Sequence, residues 1–168
     1  VELTFEQTAV YRLGQTGGWL YSPPMPDFWG PITQVGSDEL LFSFANRDAA
    51  IVAQLLPDLS AEVITFCQRE LTCDLPLMVH FSTSPDAMLR LHSAAWFLED
   101  DATLTLPTPT LVGLPTDASS NDALVAAYST VILEALIVQA SGYRCCRNAQ
   151  FARALIDRQM ADWGVRAW

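Results

Sequence analysis

Residues 39–81 decide the fold, and they read ELLFSFANRDAAIVAQLLPDLSAEVITFCQRELTCDLPLMVHF. Apolar runs at residues 39–44 and 77–81 have the length and composition of buried strands. Between them, apolar residues recur at helical spacing from about 49 to 71, and residues 46–48 offer a helix N-cap. Strand, helix and strand at this spacing predict a β-α-β unit, normally a right-handed crossover between parallel strands.

The segments before this unit predict a hairpin and an irregular linker. Residues 8–13 and 19–21 are rich in β-formers and flank the glycine-rich turn GQTGG at 14–18, which is the usual hairpin signal. Phe28 and Trp29 follow a proline-rich stretch. These aromatic residues either cover one edge of the core or stack on a ligand.

The segments after the unit predict alternating short strands and helices. Pro57 predicts a kink or a division of the 49–71 helix. Pro109 and Pro115 predict an extended, irregular segment at 108–116. The remaining predictions are a short helix at 84–92, strands at 94–98 and 104–106, a polar N-cap loop at 117–122, a largely buried helix at 123–141 and a last helix at 148–163.

The composition predicts one folded, acidic domain. The chain has 168 residues, 51% of them hydrophobic, and carries a net charge of −10, with nineteen acids, nine arginines and no lysine. One domain over residues 1–168 is expected, as a trimmed piece of a longer protein. A surface of this charge repels phosphate, so nucleic acid is not an expected partner. No run of about 18 apolar residues is present, and we expect no membrane span.

The four cysteines leave two alternatives open. Cys67 and Cys73 are separated by five residues, a spacing that a helix end folding back can bridge with a disulfide. Cys145 and Cys146 are adjacent and rarely bond each other without backbone strain. The other alternative is four free, mostly buried thiols. Adjacent cysteines do not reproduce the ligand spacing of structural zinc sites.

The buried helix contains Leu133-Glu134-Ala135-Leu136-Ile137, which resembles the His-Glu-x-x-His helix of gluzincin-type (MA-like) zinc metallopeptidases with both histidines replaced by aliphatic residues. The element order over about residues 38–165 resembles the N-terminal subdomain of those enzymes. Residues 19–29 resemble bacterial extracytoplasmic proteins that carry such a domain. Zinc needs nitrogen, sulfur or carboxylate ligands, which the aliphatic residues do not provide. We therefore expect no metal, no cofactor and no metallopeptidase activity.

The resemblance implies an α+β fold with an N-terminal β-hairpin, a zincin-like β-α-β sheet subdomain, a buried helix and a C-terminal helix. An NTF2-like cone is the alternative fold, since long helices and many aromatic residues also suit it. The resemblance places the general base on Glu134 and the substrate-contacting edge strand on about residues 102–106. A third ligand would come from the last helix, which offers only Asp157 and Asp162.

The expected function is non-enzymatic binding of a protein or a small ligand. The expected cleft is walled by residues 104–115 and the exposed edge of the 123–141 helix, with Glu134, Leu104, Thr105 and Leu106 as candidate residues. The expected location is extracytoplasmic or membrane-tethered, with the cytoplasm as the alternative. The runner-up function is a hydrolase with a non-standard site around Glu134. For that chemistry, His80 or His92 could pair with Asp86 or Glu99, and Cys145 or Cys146 could serve as a nucleophile, although no local signature surrounds them.

Overall fold

The computed structural model describes residues 2–37, 40–69, 73, 76–90 and 103–140, together with positions 154, 158 and 161. The fold is α+β, as the sequence predicts. Its elements are β1 (Phe5–Glu6), β2 (Tyr11–Leu13), β3 (Trp19–Tyr21), α1 (Pro26–Trp29), β4 (Ile32–Gly36), β5 (Leu40–Ala45), a 3₁₀ turn (Asn46–Asp48), α2 (Ala49–Arg69), β6 (Leu77–Ser82), α3 (Asp86–Arg90), β7 (Thr103–Pro107), α4 (Pro109–Val112), β8 (Leu114–Pro115) and α5 (Ala118–Ala140).

The predicted hairpin is confirmed as the antiparallel pair β2 and β3. Its turn is closed by the Gly14 amide, which donates to the Gly18 carbonyl at 2.8 Å, and by the Gly17 amide, which donates to the Gly14 carbonyl at 3.0 Å. Gly17 has φ +82°, a conformation that residues with a Cβ rarely adopt. The glycines of this turn therefore set the register of the two strands.

The predicted β-α-β unit is confirmed within a four-stranded sheet of order β4-β5-β6-β7. Strands β5, β6 and β7 are parallel, and β4 pairs antiparallel with β5. Side chains alternate between the two faces of each strand. One face supplies the core residues Leu40, Phe42, Phe44, Leu77, Val79, Phe81, Leu104 and Leu106. Helices α2 and α5 contribute to the same hydrophobic core.

Helix α2 is a single element, so Pro57 does not divide it into two helices. Its buried residues are Val52, Leu55, Leu59, Val63 and Phe66, which recur at three- and four-residue spacing. Pro57 and Asp58 lie on its exposed side. A proline there removes one backbone hydrogen bond but places no ring in the core.

Helix α5 is the predicted buried helix, and it begins earlier than the sequence suggests. The Asp117 carboxylate accepts a hydrogen bond from the Ser120 amide at 2.7 Å, which is N-cap geometry. Tyr128, Ile132, Leu133 and Leu136 are at most 1% exposed. The Phe81 ring contacts the Tyr128 ring edge to face, with centroids 5.0 Å apart, and so joins the sheet to this helix.

The prediction of an extended, irregular segment at 108–116 is wrong. Pro109 is the first residue of α4, a position that tolerates its missing N–H and fixed φ. Leu114 and Pro115 form β8, which pairs with β1 more than a hundred residues away in sequence. The predicted strand at 94–98 lies outside the described residues. So does most of the last predicted helix, of which only Ala154, Arg158 and Ala161 are described, each as helical.

One helix among the described residues is long and apolar enough, by length and composition alone, to cross a bilayer. It spans Asn46–Arg69 and has a mean hydropathy of 1.4 over its most apolar window. Core helices of folded proteins meet the same criterion, and the apolar face of this one packs into the core described above. The expectation of no membrane span stays a prediction.

Candidate binding surface

The predicted cleft residues on β7 do not line a cleft together. Leu104 is 1% exposed and Leu106 is fully buried, because both side chains face the core. Thr105 faces the opposite side of the sheet and is half-buried. Strand β7 lies at the edge of the described sheet, and strand alternation directs two of its three candidate side chains into the core.

Glu134 lies on α5 between Leu133 and Ala135, both fully buried. The Glu134 side chain is itself half-buried. Leu133, where the sequence resemblance would expect a metal ligand, therefore occupies a packed core position. Among the described residues, no group of three or more histidine, cysteine, aspartate or glutamate side chains is close enough to hold a metal ion.

A row of polar residues crosses the sheet on the face opposite to the helices. Gln34 pairs with Ser43, Ser43 with His80, and His80 with Thr105. Because neighbouring strands lie about 4.8 Å apart, these four side chains are adjacent. His80 is half-buried, and no hydrogen bond joins it to Asp86 within the part of the chain that is described. The other partner suggested for His80, Glu99, lies outside the described residues, as does His92.

A buried carboxylate lies at the carboxyl ends of the parallel strands. Asp48 is 0% exposed and follows β5. Its Oδ2 accepts from the Thr108 hydroxyl at 2.5 Å, and its Oδ1 accepts from the Thr110 amide at 3.0 Å and the Thr110 hydroxyl at 2.6 Å. From the sequence, Asp48 is expected only as part of a helix N-cap, and this role is not predicted. The three bonds join the β5–α2 turn to the β7–α4 turn.

Tyr128 closes the same region from α5. Its hydroxyl donates to the Pro107 carbonyl at 2.9 Å. Burial raises the pKa of Tyr128 well above its usual value, and the nearby charge of Asp48 raises it further. A hydroxyl with this pKa keeps its proton and acts as a donor. The cluster of Asp48, Thr108, Thr110 and Tyr128 is thus satisfied internally, which favours a role in stability over one in ligand binding.

Of the two aromatic residues of the linker, Trp29 is buried and Phe28 is half-buried. Trp29 is 6% exposed, and its ring meets the Phe28 ring edge to face at 5.0 Å. The Arg47 guanidinium lies over the Phe28 ring, 3.7 Å from its centroid, as a cation–π contact. Of the two interpretations of these aromatics, the structure supports the one in which they cover the core.

Three further polar atoms are buried, one on α2 and two on α5, and Glu62 of α2 and Ser129 of α5 are neighbours. Glu62 Oε2, Ser129 Oγ and Asn121 Oδ1 are buried and have no hydrogen-bond partner within the described part of the chain. Burial raises the pKa of the Glu62 carboxyl, the neighbouring Ser129 hydroxyl lowers it, and the Asp58 carboxylate raises it. Ser129 thus influences Glu62, although the geometry between their buried oxygens is not that of a hydrogen bond.

A disulfide joins Cys67 to Cys73, with 5.4 Å between the Cα atoms. This is one of the two alternatives that the cysteine spacing allows. Cys67 lies in the last turn of α2, so the bond fastens the chain that follows this helix to its end. Cys145 and Cys146 lie outside the described residues.

Among the described residues, the large apolar side chains with the highest exposure lie on the hairpin. Cross-strand pairing places Tyr11 opposite Tyr21 and Leu13 opposite Trp19 on one side of it, while Arg12 and Leu20 point to the other. We call Tyr11, Leu13, Trp19 and Tyr21 the aromatic face; their side chains are 56%, 63%, 70% and 72% exposed, respectively. The two tyrosine rings meet edge to face, with centroids 6.0 Å apart. The sequence predicts the hairpin, but it gives no sign that this face is exposed for binding.

Arg12 contributes no charge to the aromatic face. Its guanidinium donates to the Pro23 carbonyl at 3.0 Å on the opposite side of the hairpin. No acidic residue occurs between Glu6 and Asp27. The aromatic face is therefore an uncharged surface on a strongly acidic chain.

Comparison with known proteins adds no relative to this description. No protein-family profile, curated protein or solved structure matches this chain.

Proposed function

We propose that this chain is a non-enzymatic protein-binding domain and that the aromatic face of β2 and β3 is its docking surface. The observation that carries the proposal is the exposure of four large apolar side chains, 56–72%, on one side of a two-stranded sheet. Large contiguous apolar patches on folded domains mark interaction surfaces. Tyrosine and tryptophan are also the residues that contribute most to binding energy at protein interfaces.

The alternative functions have less support from the geometry. Acid–base or nucleophilic catalysis needs two reacting side chains within hydrogen-bonding reach. The polar row around His80 shows no such bond in the described residues. A hydrolase with a non-standard site around the half-buried Glu134 remains the alternative proposal. A small-ligand cleft along β7 is disfavoured because Leu104 and Leu106 point into the core.

The proposed ancestry is a metallopeptidase-like domain that has lost its metal ligands. The parallel β-α-β unit, the edge position of β7 and the buried helix bearing Glu134 support this ancestry. Three adjacent parallel strands, the first two of them joined through α2, favour it over a cone-like fold. In such a domain the helix that once held the metal contributes only to core packing. A partner can then be bound at a different surface.

The proposed location is outside the cytoplasm, either secreted or tethered to a membrane. The disulfide between Cys67 and Cys73 supports it, because disulfides persist mainly in oxidising compartments. A bonded pair in protein isolated from its native compartment would agree with this location.

Photo-crosslinking from the aromatic face tests the function. Trp19 is replaced by the photoreactive residue p-benzoyl-phenylalanine in the protein expressed in its own host, and Gln54, on the exposed side of α2, is replaced likewise as the control. The proposal predicts a discrete protein adduct from position 19 and none from position 54. The absence of any polypeptide adduct from position 19 would remove the proposal.

A further inference from the structure

The aromatic face differs in charge from the chain that carries it. The chain has a net charge of −10, whereas the twenty residues between Glu6 and Asp27 contain no acid and one arginine. Two copies of such a molecule repel one another through most of their surfaces. They can approach through the aromatic face without placing like charges in contact, because Arg12 points away from it.

We propose, resting on the protein-binding function above, that the partner of the aromatic face is a second copy of this chain, bound face to face about a two-fold axis. Isologous contact of this kind needs a patch that is complementary to itself. Uncharged rings that already meet edge to face within one hairpin can repeat that packing with the rings of a second hairpin.

The area available is sufficient for a weak, specific dimer. Each buried aromatic side chain contributes about 150–250 Å². At the exposures given above, three rings and one leucine amount to roughly 400–600 Å² per copy. The pair would bury about 800–1,200 Å², at the lower end of specific interfaces. A dimer that forms and dissociates reversibly is therefore expected.

A bilayer surface is a poorer occupant of the same face. The turn at the tip of the hairpin, residues 14–18, is made of glycine, glutamine and threonine, so no apolar tip is available for insertion. Lipid cannot satisfy the backbone groups at the open edges of a two-stranded sheet. A second hairpin covers the rings and leaves those edges in water.

Sedimentation velocity over a concentration series, at about 50 and about 500 mM salt, tests the proposal. Salt screens the repulsion between two copies of charge −10 and weakens no charge pair at the uncharged contact. The dimer should therefore tighten several-fold at high salt. A partner held by charge pairs would instead bind less tightly as salt is added.

Variants locate the interface. Trp19→Ser should weaken dimerisation at least about tenfold, as for an interface hot spot, while Trp19→Phe retains most of it. Ile32→Ser is the matched control, because Ile32 is 57% exposed on β4, which belongs to a different sheet. Tyr21→Ser repeats the test if Trp19→Ser fails to fold, and thermal melts establish folding for each variant.

A protein that stays monomeric at every concentration and salt, or a dimer that Trp19→Ser and Tyr21→Ser leave unchanged, would overturn the inference. The crosslink from position 19 shows whether only the dimer proposal fails or the protein-binding proposal fails with it. An adduct of twice the chain mass supports both. An adduct with another polypeptide keeps the binding function and removes the second copy as partner, and no adduct removes both.

Discussion

Replacing Asp48 with alanine should lower the free energy of unfolding by about 3–5 kcal/mol. The carboxylate accepts three hydrogen bonds, from the Thr108 hydroxyl and from the hydroxyl and amide of Thr110, in a fully buried position. Hydrogen bonds to a charged group each contribute about 1.5–3 kcal/mol. The expected loss is smaller than the sum of the three bonds, because the variant no longer buries a charge. It remains large because the three donors are left without an acceptor.

Urea denaturation followed by circular dichroism measures this loss. Asp48→Asn keeps one oxygen for Thr110 and offers an amide donor to the Thr108 oxygen, so it should cost only about 1–2 kcal/mol. Asp58→Asn, on the exposed side of α2, is the matched control and should change stability by less than about 0.5 kcal/mol. Combining Asp48→Ala with Thr110→Val should show a coupling of at least about 1 kcal/mol. A loss below about 1 kcal/mol for Asp48→Ala would refute the role of the cluster.

Four further predictions concern the core, the buried acid, the disulfide and metal. Leu136→Ala should cost about 2–5 kcal/mol through lost burial and a cavity, and a loss under about 0.5 kcal/mol in urea denaturation would mean that α5 is not central. Because burial raises the pKa of Glu62 above 4.5, the folded protein binds more protons than the unfolded chain above that pH, so its stability falls as pH rises through this interval. Glu62→Gln should therefore melt above the wild type at pH 7, by a margin that shrinks toward pH 4.5; an unchanged or reversed margin contradicts this. Replacing Cys67 and Cys73 together with serine should cost about 2 kcal/mol, and thiol titration of the denatured, unreduced wild type should find no more than two thiols. Plasma emission should detect no stoichiometric zinc, whereas near-unit zinc or chelator-sensitive proteolysis would overturn the degenerate-peptidase proposal.

The sequence predicts the elements whose signals are local. The β-α-β unit follows from two apolar runs and a helical period, the hairpin from its glycine turn, and α5 from a continuous run of helix formers. Each of these signals spans fewer than about 25 residues. Helix α4 is not predicted for a reason that is also local: Pro109 is typical of extended segments, yet here it occupies the first helical position.

The features missed for non-local reasons depend on distant residues. Asp48 bonds to Thr108 and Thr110, which are 60 and 62 residues away. Phe5 of β1 pairs with Pro115 of β8. Leu104 and Leu106 lie in the core because the helices cover their face of the sheet. Strand alternation alone does not predict which face is covered. The exposure of the aromatic face likewise follows from where the hairpin lies relative to the core.

The crosslink yield from position 19, compared with that from position 54 in the same cells, tests the central claim most directly. The protein-binding proposal predicts a discrete polypeptide adduct at position 19 and none at position 54, since Trp19 is 70% exposed on the aromatic face and Gln54 lies on the exposed side of α2. Equal yields at the two positions, or no polypeptide adduct at position 19, would contradict the proposal.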